Sequence, residues 1–139
     1  MRPFKWSTAK AVYLPEIDAE HRELFQLAEQ LHCATIDGSA PQAVDTLLDG
    51  LVEHVVAHFE HEERMMQDSD YPSRDWHIRQ HQTAARKTTA LVEMVRQGDP
   101  RASLELLEFL HGWLRDHIGV ADKMLGSYLR NHRRLARAS

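Results

Sequence analysis

Apolar residues recur along this chain at the three- and four-residue spacing that places them on one face of an α-helix. The pattern occupies four stretches, which lie between residues 18 and 38, 39 and 68, 73 and 98, and from residue 99 onward. No run of alternating apolar and polar residues and no Asn-Gly turn competes with the helical interpretation. The chain is therefore predicted to be all-α.

Capping and turn-forming residues mark the ends of these stretches. Asp18, Ser39 and Ser73 are candidate N-caps. Pro41 suits the first turn of a helix, and Gly98 suits a C-terminal stop. Four helices joined by such short turns predict an antiparallel up-down-up-down four-helix bundle. We expect a single domain over residues 1–139, with an irregular N-terminal arm over residues 1–17, a short C-terminal helix and a basic tail over residues 130–139.

The composition is that of an ordinary soluble domain, with 42% hydrophobic residues and a formal net charge of -4. This charge gives no basic surface of the kind that binds nucleic acid. Cys33, the single cysteine, is expected in the core face of the first helix. No stretch is long and apolar enough for a signal peptide or a membrane span, so the cytoplasm is the expected location. Four arginines are interpreted as the solvated end of a helix, where carbonyl groups favour cations: Arg130, Arg133, Arg134 and Arg137.

Histidine is distributed unevenly along the predicted bundle. The start of the first helix, the end of the second, the start of the third and the end of the fourth lie together in an up-down-up-down bundle. Six of the ten histidines fall at these positions: His21, His58, His61, His77, His81 and His117. A scattered surface set has no reason to collect at one end, whereas a shared buried site does.

Helical spacing indicates which side chains face a common centre. Residues four apart differ by about 40° around the helix axis, so His58 and Glu62 lie on one face, as do His77 and His81. His54 precedes His58 by one turn and is a candidate for contacting the site. The other polar residues and methionines near these ligands, and the other histidines, are not expected to bind the metal.

Glu60 and Glu63 are expected in solvent, and Met65 and Met66 are expected to continue the inner face of the second helix. The other histidines are expected at the surface or with satisfied hydrogen bonds: His32, His61, His111 and His132.

Residues 117–122, with the sequence HIGVAD, break the helical spacing. An unbroken α-helix rotates Asp122 by about 140° from His117, so both side chains face inward only if the helix ends, bulges or restarts between them. Gly119 is the expected position of this irregularity. In the alternative interpretation, Asp122 only caps a final short helix.

The predicted site has more ligands than one tetrahedral zinc ion accepts. With both carboxylates and an oxo or hydroxo group bridging two octahedral ions, one coordination position stays open for a small ligand. Imidazole and carboxylate ligands suit iron, and they also suit manganese, zinc and copper. The ligand set comprises five histidines and two carboxylates: His21, His58, His77, His81, His117, Glu62 and Asp122.

With these residues the chain resembles hemerythrin in its single-domain bacterial form. The resemblance runs from about Trp6 to Tyr128 and is carried by IDAEHRELF at 17–25, HFEHEERMM at 58–66, HIRQH at 77–81 and WLRDHIGVAD at 113–122. YLPEID at 13–18 departs from the glycine-containing version common in the family. The resemblance implies a non-haem di-iron centre, in which His77, His81 and His117 hold one iron, His21 and His58 hold the other, and Glu62 and Asp122 bridge them.

The resemblance also implies that dioxygen binds reversibly at the two-histidine iron, for storage, delivery or buffering, without enzymatic turnover. Ferritin-like di-iron oxidases use four carboxylates, and a site dominated by neutral imidazoles has fewer anionic donors to stabilise highly oxidised iron. The alternatives are an oxygen, nitric oxide or redox sensor that acts through a partner protein, and a di-iron oxidase or peroxidase. Four residues match the family's apolar oxygen pocket: Phe59, Trp113, Leu114 and Ile118.

Overall fold

The computed structural model describes residues 4–138, and within this range the chain forms helices and no strand. Four long helices pack against their neighbours in chain order, and the first also contacts the fourth, which confirms the predicted up-down-up-down bundle. A 3-10 helix at Thr8–Lys10 comes first. The four long helices are α1 (Pro15–Ile36), α2 (Pro41–Asp68), α3 (Arg74–Arg96) and α4 (Ala102–Asp116). Helix α4 continues through a π-helical segment (His117–Asp122) into α5 (Lys123–Ala138).

The start of α1 differs from the prediction. Leu14 occupies the N-cap position, and Pro15 is the first helical residue. Asp18 lies within the first turn, where its carboxylate accepts hydrogen bonds from the backbone N–H groups of Val12 and Tyr13 at 2.8 and 3.1 Å. The prediction that Asp18 is the N-cap is therefore wrong, because its side chain fastens the preceding arm instead of capping its own helix.

The other helix ends follow the sequence signals more closely. Ser73 precedes α3, although its side chain makes no capping hydrogen bond. Gly98 has a φ of 84° just after α3, which is the left-handed conformation that glycine adopts at helix ends. Ala40, and not the predicted Ser39, occupies the N-cap position before Pro41.

Two apolar clusters lie on either side of the predicted site of histidines and carboxylates. The larger fills the middle of the bundle and includes Leu24, Leu51 and Leu106. The smaller joins the N-terminal arm to α2 and α5 and includes Val12 and Met66. Met66 is fully buried, as its predicted place on the inner face requires. The polar residues between the two clusters are therefore shielded from water in both directions along the bundle.

Several peripheral residues differ from the sequence expectations. Cys33 is exposed on α1, so its predicted core position is wrong. Residues 130–138 belong to α5 and form helix where a tail was predicted, and Ser139 lies outside the described residues. His111 and His132 are exposed as expected, and His32 is half-buried. Within residues 4–138, no helix has the length and apolar character needed to cross a membrane.

Candidate metal centre

The structure brings all seven predicted ligands together at one end of the bundle. Each of them exposes 4% or less of its surface. Burying polar groups is unfavourable unless they find partners. These buried imidazoles and carboxylates must therefore either bind a common partner or interact with one another. α1 contributes His21, α2 contributes His58 and Glu62, α3 contributes His77 and His81, and the π-helical segment contributes His117 and Asp122.

Glu62 divides its two oxygen atoms between two groups of histidines. Its Oε1 lies 3.2 Å from Nε2 of His77 and 3.0 Å from Nε2 of His81. Its Oε2 lies 3.2 Å from Nε2 of His58 and 3.7 Å from Nε2 of His21. One carboxylate thus faces both groups at once.

Asp122 divides its oxygen atoms in the same way. Its Oδ1 lies 3.1 Å from Nε2 of both His77 and His117, and its Oδ2 lies 3.0 Å from Nε2 of His21. Each histidine group forms a cluster with the two carboxylates, and the ligand atoms within each cluster lie within 4.8 Å of one another. The arrangement is therefore two adjoining clusters, one with three histidines and one with two, that share both carboxylates.

Many of these short contacts lack the geometry of hydrogen bonds. Buried nitrogen and oxygen atoms are normally hydrogen-bonded, yet eight side-chain atoms of the seven candidate ligands have no such partner within residues 4–138. Two of them are Nδ1 of His21 and His77. The other six are Nε2 and carboxylate oxygen atoms that belong to residues of the two clusters, whose ligand atoms lie close enough together to share a metal ion. Imidazole nitrogen with carboxylate oxygen is a donor set that fits first-row transition metals. The six atoms are Nε2 of His21, His81 and His117, Oε2 of Glu62, and Oδ1 and Oδ2 of Asp122.

Hydrogen bonds outside the centre orient three of the histidines. In each case Nδ1 donates to a side chain on a neighbouring helix, which leaves the lone pair of Nε2 directed inward. The pairs are His58 with Oε1 of Glu20 at 2.6 Å, His81 with Oε2 of Glu63 at 3.0 Å, and His117 with Oε1 of Gln80 at 2.8 Å.

Sequence reasoning missed these three acceptors. Glu63 was predicted in solvent, and that prediction is wrong because its carboxylate reaches across to α3. Glu20, Glu63 and Gln80 each stand directly beside a predicted ligand in the sequence. This adjacency was the available signal, but each one contacts a histidine of a different helix, which the sequence does not reveal.

Glu20 also links the centre to the surface. Its Oε2 accepts a hydrogen bond at 2.6 Å from Nδ1 of His61, a half-buried residue whose hydrogen bonding is satisfied as expected. Nε2 of His54 donates to the backbone carbonyl of Glu20 at 2.8 Å, and the rings of His54 and His58 lie nearly parallel with centroids 6.4 Å apart. His54 therefore packs directly against a candidate ligand.

The charges of the centre shift the pKa values of its members strongly. Burial lowers the pKa of His58, but the surrounding carboxylates, Glu62 foremost, outweigh burial and raise this pKa to about 10. The pKa of His77 rises to about 9 because Asp122 and Glu62 likewise outweigh burial. Burial raises the pKa of Glu62, yet the histidines, His58 foremost, hold it well below its usual range. The two buried carboxylates thus require nearby positive charge, which protons or metal ions can provide.

Aromatic and aliphatic side chains cover the histidines. The ring of Phe59 stacks on His81 with centroids 3.9 Å apart, and the ring of Trp113 stacks on His117 at 4.5 Å. Phe59 and Trp113 contact each other edge to face at 5.3 Å. Leu114 and Ile118 are buried in the same apolar cluster as Phe59: Leu114 exposes 1% and Ile118 exposes 2% of its surface. Phe59 and Trp113 of the predicted pocket therefore lie against histidines of the centre, and the oxygen-pocket role of all four residues stays a prediction.

The chain is similar in sequence and fold to known proteins over most of its length. The family model described as the hemerythrin HHE cation binding domain matches residues 13–129. A bacteriohemerythrin from Methylococcus capsulatus is 28% identical over 112 residues, which cover 81% of this chain and 85% of that protein. A myohemerythrin from Sipunculus nudus is 30% identical over 122 residues, which cover 86% of this chain and 88% of that protein. A crystal structure of a hemerythrin variant superposes with a TM-score of 0.85 at 25% identity, covering 93% of this chain and 98% of the other. The chain therefore belongs to the hemerythrin family.

Proposed function

We propose that this protein binds dioxygen reversibly at a non-haem di-iron centre and serves oxygen storage, delivery or buffering. The observation that carries the proposal is the division of both carboxylates, whose two oxygen atoms face different histidine groups. Such carboxylates suit bridges between two metal ions. In this arrangement His77, His81 and His117 would hold one iron, His21 and His58 the other, and Glu62 and Asp122 would bridge them.

The unequal histidine groups support an open position on one side of the centre. Three histidines face one cluster, and two face the other. The two-histidine side therefore offers fewer protein ligands and is the place where a small exogenous molecule would enter. The iron pair, when bound, would supply an exchangeable coordination position and the two electrons that reversible dioxygen binding requires.

The protein's own side chains would keep the bound molecule from reacting further. Phe59 stacks on His81, and Leu114 and Ile118 are buried in the same apolar cluster. Excluding water and protons prevents side reactions in a closed site. Glu20 and Glu63 accept hydrogen bonds from histidines, and neither belongs to a candidate ligand cluster. The ligand set thus keeps two carboxylates, which favours binding over the oxidation that four-carboxylate sites perform.

The test is the visible absorption of the iron-loaded protein, reduced under argon and then cycled between oxygen and argon. Metal analysis should give two iron ions per chain, and a charge-transfer band should appear with oxygen and fade without it over several cycles. A Glu62→Gln variant serves as the control, because it lacks one of the two shared carboxylates and should not show the cycling band. One iron per chain, a band that appears once and persists, or oxidation of an added substrate with turnover would contradict the proposal. A persistent band would favour a sensor, and turnover would favour an oxidase or peroxidase.

A further inference from the structure

A groove on the outside of the bundle gathers four of the chain's 17 lysine and arginine residues at one place. It has a volume of about 720 Å³ and lies between the residues that lead into α1 and the second half of α5. Tyr13 lines one side. The other side carries four arginines, all from the segment that the sequence suggested was a solvated helix end: Arg130, Arg133, Arg134 and Arg137.

The arginines of this groove have little compensating negative charge. Arg133 pairs with Glu16 at 2.6 Å, and this is the one ion pair that the four arginines form within residues 4–138. Arg130 donates to the backbone carbonyl of Val12. The local excess is positive, although the whole chain has a formal net charge of -4. Concentrated like charge of this kind raises the local concentration of anions and is relieved when one binds.

Two of the arginines have guanidinium groups engaged only within their own helix. Arg134 donates to the side-chain amide oxygen of Asn131, and Arg137 donates to the backbone carbonyl of Arg133. Neutral acceptors of this kind bind a guanidinium more weakly than an anion does. The planar fork of arginine matches the oxygen atoms of a phosphate group. Arg134 and Arg137 are therefore the side chains best placed to take up a phosphate.

Tyr13 adds an aromatic surface to the groove at a cost in backbone energy. It exposes 68% of its surface and has a φ of 61°, a left-handed conformation that is unfavourable for a residue with a side chain. The carboxylate of Asp18 holds this conformation by accepting the Tyr13 N–H. The guanidinium carbon of Arg130 lies 5.5 Å from the centroid of the Tyr13 ring. An exposed ring beside arginines that donate mainly to neutral acceptors suits a ligand with one flat and one anionic part.

We propose that this groove binds a nucleotide, with its phosphate groups at Arg134 and Arg137 and its base against Tyr13. The volume falls within the range of about 300–1,000 Å³ that is typical of small-molecule sites. The carbonyl end of α5 carries a partial negative charge that opposes an anion, and several guanidinium charges outweigh it. The site does not involve the metal centre.

Isothermal titration of the full chain with ADP tests this proposal, with adenosine, inorganic phosphate and pyrophosphate as partial ligands. We expect one ADP per chain and affinity at least tenfold higher for ADP than for any partial ligand. The double variant Arg134→Gln/Arg137→Gln should lose at least tenfold in ADP affinity. The double variant Arg86→Gln/Arg101→Gln is the matched control, because it removes the same charge from two exposed arginines elsewhere, and it should bind ADP as the parent chain does.

Substitution of Tyr13 tests the contribution of the base. Tyr13→Leu should reduce ADP affinity to that of pyrophosphate, whereas Tyr13→Phe, which keeps the ring, should retain it. Equal ADP binding by the two double variants would overturn the proposal, as would pyrophosphate binding as tightly as ADP to the parent chain. Binding to phosphatidylglycerol vesicles that requires Arg134 and Arg137, without ADP binding, would overturn it in favour of a membrane surface.

Discussion

The carboxylate of Asp122 lies 3.1 Å from Nε2 of His117, which precedes it by five residues in the same continuous helix. Residues five apart in an α-helix differ by about 140° in direction. The π-helical segment at His117–Asp122 removes this difference, since its hydrogen bonds span five residues and bring both side chains to one side. The predicted irregularity is confirmed. The alternative in which Asp122 only caps the last helix is not, because its side chain is buried against histidines.

Gly119 lies within this segment, yet its conformational freedom is not what forms the bulge. Its φ is not positive, and a Cβ added there meets no atom within 4 Å. Gly126, one helix later, is different, because a Cβ there falls 2.7 Å from the backbone oxygen of Val12. The two glycines therefore differ in the room available for a Cβ atom and not in backbone conformation.

Gly119→Ala should therefore leave the iron content unchanged and alter the free energy of unfolding by less than about 1 kcal/mol, in the stabilising direction. Gly126→Ala should destabilise the protein by about 1–3 kcal/mol, because the N-terminal arm must move away from α5. Urea denaturation of both variants measures the two effects. Equal changes in the free energy of unfolding would contradict the close contact at Gly126.

Glu20→Gln should lower the affinity for ferrous iron by roughly 10- to 100-fold, as is typical when an acceptor that orients a metal-binding histidine is lost. The amide keeps the size of the side chain but replaces one of the two oxygen atoms that accept from His58 and His61. Competition with a chromophoric chelator under argon measures this affinity. Glu60→Gln removes an exposed carboxylate from the same end of the bundle, and it should not change the affinity. Similar losses in both variants would show a general effect of charge.

The metal-free protein should lose stability as the pH rises from about 7 to 10. Folding raises the pKa of His58 to about 10 and that of His77 to about 9, from ordinary values of 6.5. Their stabilising contribution is fully present below pH 6.5 and disappears as the pH passes through the folded-state values. The lowered pKa values of Glu62 and Asp122 have the opposite effect, which is a loss of stability in acid.

Denaturant titrations of the chelator-treated protein between pH 5 and 10 test this dependence. Metal ions should displace the histidine protons, so metal binding should release protons and weaken as the pH falls. Metal-free stability that is constant from pH 7 to 10 would contradict the proposed charge balance of the centre.

Phe59→Ala should destabilise the protein by about 3–5 kcal/mol, as is typical for truncation of a buried phenylalanine. It removes the ring that stacks on His81 at 3.9 Å and separates the histidines from the apolar core. If the proposed oxygen binding holds, the oxygen-dependent absorption band should also decay severalfold faster, because water reaches the site. Phe59→Leu keeps most of the volume and should show smaller changes in both measurements. An unchanged decay rate in Phe59→Ala would show that this ring does not protect the site.

The sequence determined the bundle and the main members of its polar centre. Helical periodicity and turn residues decided the order of the helices, and that order alone requires the ends that carry His21, His58, His77 and His117 to meet. The four-residue spacing of His58 and Glu62 fixed their common face before any tertiary contact was known. These features depend on local geometry, which repeats reliably along a helix.

Only the tertiary structure decided how neighbouring helices contact each other. Glu63 points away from His58 on its own helix, yet it reaches His81 because the rotation and offset of α2 and α3 bring them to 3.0 Å. The fold also decided that Asp18 accepts hydrogen bonds from the preceding arm and that Cys33 faces solvent. A shift of α2 against α3 by a few ångströms would separate Glu63 from His81 without altering the helical pattern. Local periodicity therefore predicted which side chains could form the centre, and packing between helices decided what holds them in place.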